Sequence, residues 1–486
     1  MRGGSHRVAL AMVWTVLTAL DACTGLPPKP QPVVLPREAP LTDFASASPD
    51  GWPSAAWWKR YQDSTLDGLI EAAVATAPTL STAQSRFHAA REAVREAGAA
   101  AGAHVDLTGD VERQRLSDNG VFPPQLLGFN WYNQADLGLA ASYTFDWWDK
   151  QRDIVQAAVD QAMASEAERS AAGLALASAV ADAYFGWQAD MNRVQLAAER
   201  LTAADREVAI AAARVRQQLE PADSLQRQAA NLAAIREEAA RLHGSATLRV
   251  VAIAALLGRA EADLPPFTVK PLPTVRVALP DDVRIDLVAR RADLIAGRWR
   301  VESAQQSRES ARAQFYPDIS VNGLAALQTV RLGRLFEIGS GDPQVGAAIH
   351  LPLFDSGRLH ARYRGTDAAL AEAVAAYRQT LVDAAREVAS AAATRSQLAA
   401  QHEQRLIALE AAARLRASAA ARARQGLTDA RDELAATEAW IEQRDAVLQL
   451  DAAALSADIG LQRALGGGYA DTQDFKGTAS AVNAAP

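Results

Sequence analysis

A single cysteine, Cys23, in 486 residues rules out any disulfide within the chain, whatever the redox compartment. The seven histidines, at 6, 88, 104, 243, 350, 360 and 402, are scattered without paired spacing, so no metal site is expected. No glycine-rich phosphate loop with its lysine, no nucleophile elbow and no pair of catalytic carboxylates stands out. Gly339-Ser340-Gly341-Asp342-Pro343 reads as a turn, since neither a helix nor a lysine follows it. The chain is therefore expected to be no enzyme and to carry no cofactor. An excess of cations is also missing: the net charge is −7 and the basic residues alternate with acids, which excludes a nucleic-acid stripe. Beyond the N-terminus no run of about 18 apolar residues exists, so a chain that crosses a membrane must do so with strands.

The most informative absence is proline between Asp355 and Leu465, a stretch rich in Ala, Leu, Arg, Glu and Gln. This composition specifies helix. Its one soft spot, Gln425-Gly426-Leu427-Thr428-Asp429, lets two long helices fold back on each other. From Arg358 to Gln425 the rod is on the order of 100 Å long, far more than a globular core needs. Asp149 to Gly258 repeats the plan, with a break at Gln218-Leu219-Glu220-Pro221. Matching the copies puts Asp149 on Asp355 (206 positions), Asp223 on Asp432 (209) and Leu257-Gly258 on Leu465-Gly466 (208). Upstream, Ala77-Pro78 falls on Arg291-Ala292 and His104 to Gly109 on Asp318 to Gly323, both displaced by 214. The chain is an internal duplication, and the two glycine positions read as helix ends.

Taken in order, residues 1–22 read as a signal peptide, with Arg2, His6 and Arg7 before an apolar run from Val8 to Leu20. Leu20-Asp21-Ala22-Cys23 resembles a lipoprotein cleavage box, which would place a thioether-linked lipid and a palmitoyl chain on Cys23; Asp21 stands where a small or apolar residue is usual. Residues 23–56 form a proline-rich tether. Trp57-Trp58 should pack on the helix they introduce, which runs from about Leu66 to Gly98 with Pro78 as a kink or junction. The first repeat, 57–260, holds strands at about 105–115 and 135–147. Here Leu137, Leu139, Ala141, Tyr143, Phe145 and Trp147 alternate with Gly138, Ala140, Ser142, Thr144 and Asp146. The strand from Val105 alternates less cleanly. Residues 261–284, rich in proline, join the halves outside the rods. The second repeat, 285–465, holds strands at about 319–330 and 344–354 and the hairpin 355–465. Residues 466–486 read as a disordered tail.

Four strands per chain cannot close a barrel, and open edges in lipid leave backbone groups unsatisfied at several kcal/mol each. Three chains supply twelve. The fold class is thus mainly α with a small β part: a duplicated strand pair plus long helical hairpin.

A duplicated plan of this kind, with a lipoprotein-like start, a proline tether and Trp57-Trp58, resembles the TolC family of outer-membrane efflux proteins, in the lipoprotein branch named after NodT. The resemblance covers roughly residues 45 to 468. It implies a homotrimer with a twelve-stranded barrel in the outer membrane and a coiled-coil helical barrel through the periplasm. It also implies a periplasmic adaptor protein and an inner-membrane transporter as partners, outer-membrane lipid as the surroundings, and passive conduction of small molecules such as drugs and toxic compounds. Ser142, Thr144, Ser320, Asn322 and Gln328 would line the lumen. The family's gate lies just after the hairpin turn, which maps onto Asp432, with Glu433 beside it. Ala435 stands where many members carry a second aspartate, and Arg431 where some carry a bulky apolar residue. Arg431 would then lock the tip by pairing with an acid of the neighbouring hairpin, such as Asp223. Two alternatives remain at this level: the same fold secreting a polypeptide or polysaccharide, or a surface-tethered scaffold that conducts nothing.

Overall fold

The structure is a computed structural model and describes residues 26–27, 33–36, 38–40, 52–119, 124–274 and 283–469. The leader, Cys23 and the tail from 470 lie outside the described residues.

Helix dominates because proline and β-branched runs are absent from the long segments. After a short turn of 3₁₀ helix at Trp57–Tyr61 come α1 (Ser64–Thr76) and α2 (Pro78–Ala100). The Asp63 carboxylate caps α1 by accepting from the Thr65 and Leu66 N–H groups, and Ala77 turns extended so that Pro78 can start α2. Strands β1 (His104–Arg115) and β2 (Trp131–Phe145) follow, then the hairpin α3 (Lys150–Arg216) and α4 (Ala222–Leu257). The second copy runs α5 (Val283–Arg290), α6 (Ala292–Ala313), β3 (Asp318–Thr329), β4 (Gly341–His350), α7 (Arg358–Arg424) and α8 (Ala430–Ala464).

The register of the duplication is uniform through the hairpins. Helices α3 and α7 have 67 residues each and begin at 150 and 358, a displacement of 208 (358 less 150). Their turns hold Gln218 and Gly426 in the left-handed region, at φ +63° and +68°, again 208 apart. Both ends are Schellman turns: Leu219 N–H donates to Arg214 O and Leu427 N–H to Arg422 O. This corrects the pairing of Asp149 with Asp355 and of Asp223 with Asp432. The residue that caps α3 as Asp355 caps α7 is Asp146, whose carboxylate accepts from the Gln151 and Arg152 N–H groups. Asp223 corresponds to Arg431.

The helices form a layer. Below mid-height its order is α4, α3, α8, α7; above it is α2, α3, α6, α7. Helices α4 and α2 are stacked end to end, as are α8 and α6. Gly258 and Gly466 make this possible: each has positive φ, and a Cβ would fall 2.6 Å from Pro78 Cδ in one case and 2.0 Å from Arg290 O in the other. Side chains brace both joints, Thr76 Oγ1 donating to Leu257 O (2.9 Å) and Arg291 to Ala464 O (3.0 Å). The expected disorder beyond 465 is corrected for its first residues. Gly466 to Gly468 turn tightly against Arg290, Leu174 and Ser54, where no side chain would fit.

The apolar cores sit at these joints. One gathers Trp57, Tyr61, Leu66, Ile70, Val180, Tyr184, Ile253 and Leu257, and the other Leu287, Leu294, Leu370, Tyr377, Leu381 and Leu461. Trp57 is buried on the helix it introduces. Helix α4 proves apolar enough over 18 residues to pass a membrane-span test, contrary to expectation. Part of its apolar surface packs on other helices, through Leu232 and Ile235 beside Ala204 and through Ile253 and Leu257 in the mid-height core, while Leu248 and Val251 stay exposed.

Among the described residues the strands make one antiparallel sheet in the order β1, β2, β3, β4, with β1 and β4 as its edges. Strand β2 begins at Trp131, earlier than expected, and β4 ends at His350, short of Pro352. Pro343 is tolerated within β4 because that strand is an edge.

Candidate functional site

Two regions are candidates for function: the sheet and the hairpin tips. The register keeps one parity across all four strands, so odd-numbered residues share one face and even-numbered ones the other. Val105, Ala141, Gly323 and Val345 stand side by side on the odd face, as do Phe145, Ile319 and Ile349. Ser142 faces Asn322 and Thr144 faces Ser320 on the even face, with Gln328 beside Asp136. The even face also holds carboxylates that alternation in β2 alone did not reveal: Asp106, Asp110, Glu112, Asp136 and Asp342. Asp110 lies directly opposite Asp136. The signal was present in β1, where every second residue from His104 to Gln114 is polar. Among the described strand residues this face carries no lysine or arginine.

The sheet is fixed to the helices by polar contacts at its base. Lys150 Nζ, at the start of α3, donates to Asp318 at the start of β3 (2.5 Å), and Trp148 stacks on Tyr316 while its indole N–H donates to Pro317 O.

At the far end of the rods the two hairpin turns meet. Arg214 and Glu220 come from the first, Asp429 and Arg431 from the second, and each arginine reaches both acids. Arg214 lies 2.8 Å from Glu220 and 3.5 Å from Asp429; Arg431 lies 2.7 Å and 3.3 Å from the same pair. The arrangement is a closed ring of alternating charge. Partial desolvation works to raise Glu220, but hydrogen bonds from Ser224 and Arg214 and the Arg431 charge outweigh it and hold the carboxyl low. Asp429 is held low first by the Arg431 N–H and also by its guanidinium.

The ring caps a ladder in which α3 and α8 run antiparallel. Arg193 meets Asp445 (2.7 Å) and Arg200 meets Glu438 (2.9 Å), one heptad apart on both helices. One further heptad towards the tip the signs reverse, and Glu207 faces Arg431. Burial and Glu438 push Glu207 up, against the pull of Arg431.

The expected site residues separate accordingly. Arg431 does bind an acid of the neighbouring hairpin, but that acid is Glu220; Asp223 is exposed on the first turn of α4, where it complements the helix dipole. Asp432 is exposed and Glu433 half-buried in the first turn of α8, and no ion pair among the described residues includes either. Arg214, Glu220 and Asp429 were not singled out. The turns themselves were legible, but not that the two tips touch.

Comparison with known proteins agrees with this architecture. The sequence profile described as outer membrane efflux protein matches residues 69–259 and 285–467. The multidrug resistance outer membrane protein MdtP of Escherichia coli K12 is 31% identical over 450 residues, covering 90% of this chain and 92% of its own. MdtQ of Escherichia coli O157:H7 is 31% identical over 456 residues, covering 90% and 93%. The crystal structure of the outer membrane protein VceC from Vibrio cholerae superposes with a TM-score of 0.77 at 32% identity, covering 86% of this chain and all of that one. All three are named as outer membrane proteins, and the family is a non-enzymatic transport component. Members of the family form trimers whose four-stranded sheets close a barrel, and they work with an adaptor and an inner-membrane transporter. A sheet that is polar on one face, apolar on the other and open at both edges, continued by helical hairpins, is the protomer of such a channel, and the chain belongs to the outer membrane efflux protein family.

Proposed function

We propose that three copies of this chain form the exit duct through which an adaptor and an inner-membrane transporter expel small molecules, drugs among them, and that the charged ring at the hairpin tips holds the duct closed. The observation that carries the reading is the pair of faces on the sheet. A face of small polar and acidic residues opposite one of Val, Leu, Ile and aromatic residues suits a wall between water and lipid. The edges β1 and β4, and below them α4 and α7, call for equivalent edges of further copies.

Asp432 and Glu433, beside the ring on the first turn of α8, are the carboxylates that would face the axis when Arg431 is engaged with Glu220. Carboxylates repeated around a threefold axis repel one another and admit cations. Single-channel conductance of the detergent-extracted protein, with its mass measured on the same sample, tests the reading. A trimer of low conductance that opens when Arg431 and Asp432 are replaced by alanine supports it, and a non-conducting monomer removes it.

We infer also that Cys23 carries the lipid anchor. Arg312 Nε, at the end of α6 and six residues before β3, donates to Pro27 O (3.4 Å). Tyr377 donates to Pro36 O (3.5 Å), and Val33, Leu35 and Ala39 pack against the second core. This path climbs towards the base of the sheet. Cys23 is four residues beyond Pro27, within about 14 Å of it, and so in reach of the inner leaflet. A Cys23→Ser chain should lack the diacylglycerol and palmitoyl mass; an unchanged mass removes the anchor.

A further inference from the structure

The odd face of β1 is apolar from Val105 through Val111 and then carries Arg113 and Arg115. On the lipid side of a barrel, arginine is costly at the bilayer midplane and almost free at the interface. The step from Val111 to Arg113 therefore marks where hydrocarbon ends. Aromatic residues mark the same level. Trp131 is in register with Arg115, is half exposed, and lies under the Arg113 guanidinium at 5.4 Å.

The loop between β3 and β4 adds to this rim. Arg331 and Arg334 are exposed, and Phe336 and Ile338 are 81% and 104% exposed. The loop nevertheless has a fixed shape. Leu335 is buried, Ser340 Oγ donates to Arg334 O (2.7 Å), and the turn Leu332–Arg334 packs on β2. Water is a poor surrounding for such a surface.

Charge is sorted between the faces at this height. Asp110, Glu112 and Asp136 occupy the even face, while Arg113 and Arg115 occupy the odd face. The acids near the arginines on their own side are Asp118, 4.0 Å from Arg115, and Glu337, 3.9 Å from Arg334. Both are long, exposed contacts of the kind that contribute little. Four guanidiniums with planar donor forks, set among aromatic and aliphatic side chains at the end of a lipid-facing wall, match a phosphate headgroup whose acyl chains run down that wall.

We propose that Arg113, Arg115, Arg331 and Arg334, around Trp131 and Phe336, form a docking surface for the phosphate headgroups of outer-leaflet lipid. This rests on the reading of the sheet as a barrel wall.

The test uses the full-length trimer in phosphatidylcholine nanodiscs with and without phosphatidic acid. Retained lipid is counted by native mass spectrometry, and conductance is measured on the same preparation in planar bilayers. The wild type should retain phosphatidic acid over phosphatidylcholine, and R113Q/R115Q/R331Q/R334Q should lose at least about tenfold of that preference. The corresponding lysine variant should keep part of it and guards against misfolding. Millimolar orthophosphate should not compete. The proposal is overturned if the glutamine variant keeps the wild-type preference while still conducting, or if orthophosphate displaces the lipid, which would make the rim a free-ion site only. Failure of the wild type to insert and conduct would instead overturn the barrel reading and this proposal with it.

Discussion

The two long helices are copies in length and register, yet α3 buries 23 of its 67 residues and α7 only 10. Position in the layer explains the difference. Helix α3 has neighbours on both sides at every height, whereas α7 is an edge. Val382, Leu406, Ile407 and Leu415 of α7 remain exposed, as do Leu248 and Val251 of α4 at the other edge. Duplication thus supplied two rods of equal length, and their difference in burial falls at the edges where the proposed trimer would place its subunit contacts.

That comparison can be broken at residues where the copies differ. The largest effect is expected at the buried pair Arg395 and Asp458, 2.8 Å apart and 3% and 0% exposed, with the Tyr61 hydroxyl also donating to Asp458. Counted back by 208, these positions are Trp187 and Val250, so the first repeat has apolar residues where the second has charge. Asp458→Ala removes the buried carboxylate that Arg395 and the Tyr61 hydroxyl share and should lower stability by about 3–5 kcal/mol, whereas R395M/D458L should recover most of that loss. Thermal dissociation of the trimer measures both.

Next is the tip. Arg431→Ala removes two ion pairs of the ring and leaves Glu207 without its facing cation. Open probability should rise on the order of fivefold in single-channel recordings, and Arg214→Ala in the first hairpin should do the same. Equal effects would show that the ring belongs to both repeats; an effect of Arg431 alone would assign the lock to the second. The same recordings give a pH profile. Glu220 and Asp429 have depressed pKa values, so the lock they form is present above the ordinary carboxylate pKa and is lost as pH falls through the lowered values. Conductance should stay level from pH 7 to about 5 and rise only below about 4.

A smaller effect is expected at Asp160, which burial pushes up to about 6, with Glu302 adding to it against the Gln156 hydrogen bond. Its copy in α7 is Ala368. A raised carboxyl binds its proton more tightly when folded, so stability falls as pH rises from about 4 to 6 and stays lowered above that. Asp160→Asn should stabilise the trimer by about 1–2 kcal/mol at pH 7.5 and much less at pH 4. The smallest change is Gln218→Gly, which writes the second turn's glycine into the first. Relief of the left-handed backbone should add up to about 1 kcal/mol, read from the same melting curves.

Much of the fold was legible because it is written locally and twice. The helices, their turns at 217–221 and 425–429, and the alternation in β2 each follow from residues within a few positions of one another. What was not legible depends on meetings across the chain. Gly258 reads as a helix end; that it lets α4 abut Pro78 of α2 needs the third dimension. Arg431 was singled out, but its partner Glu220 is 211 positions away and is selected by how two turns nest. The uneven alternation of β1 was visible, and the structure traces it to Arg113 and Arg115, which end the otherwise apolar odd face of the strand.

The open edges of the sheet have a genetic consequence. In the proposed trimer each subunit lends β1 to one neighbour and β4 to the other, so a chain with one spoiled edge leaves a seam of the barrel open while still engaging a sound partner. Co-produced with normal chains, it would enter trimers through its intact edge and waste the sound partners it had joined. An allele that cripples one edge strand should therefore behave as dominant, whereas one that prevents folding altogether should be recessive.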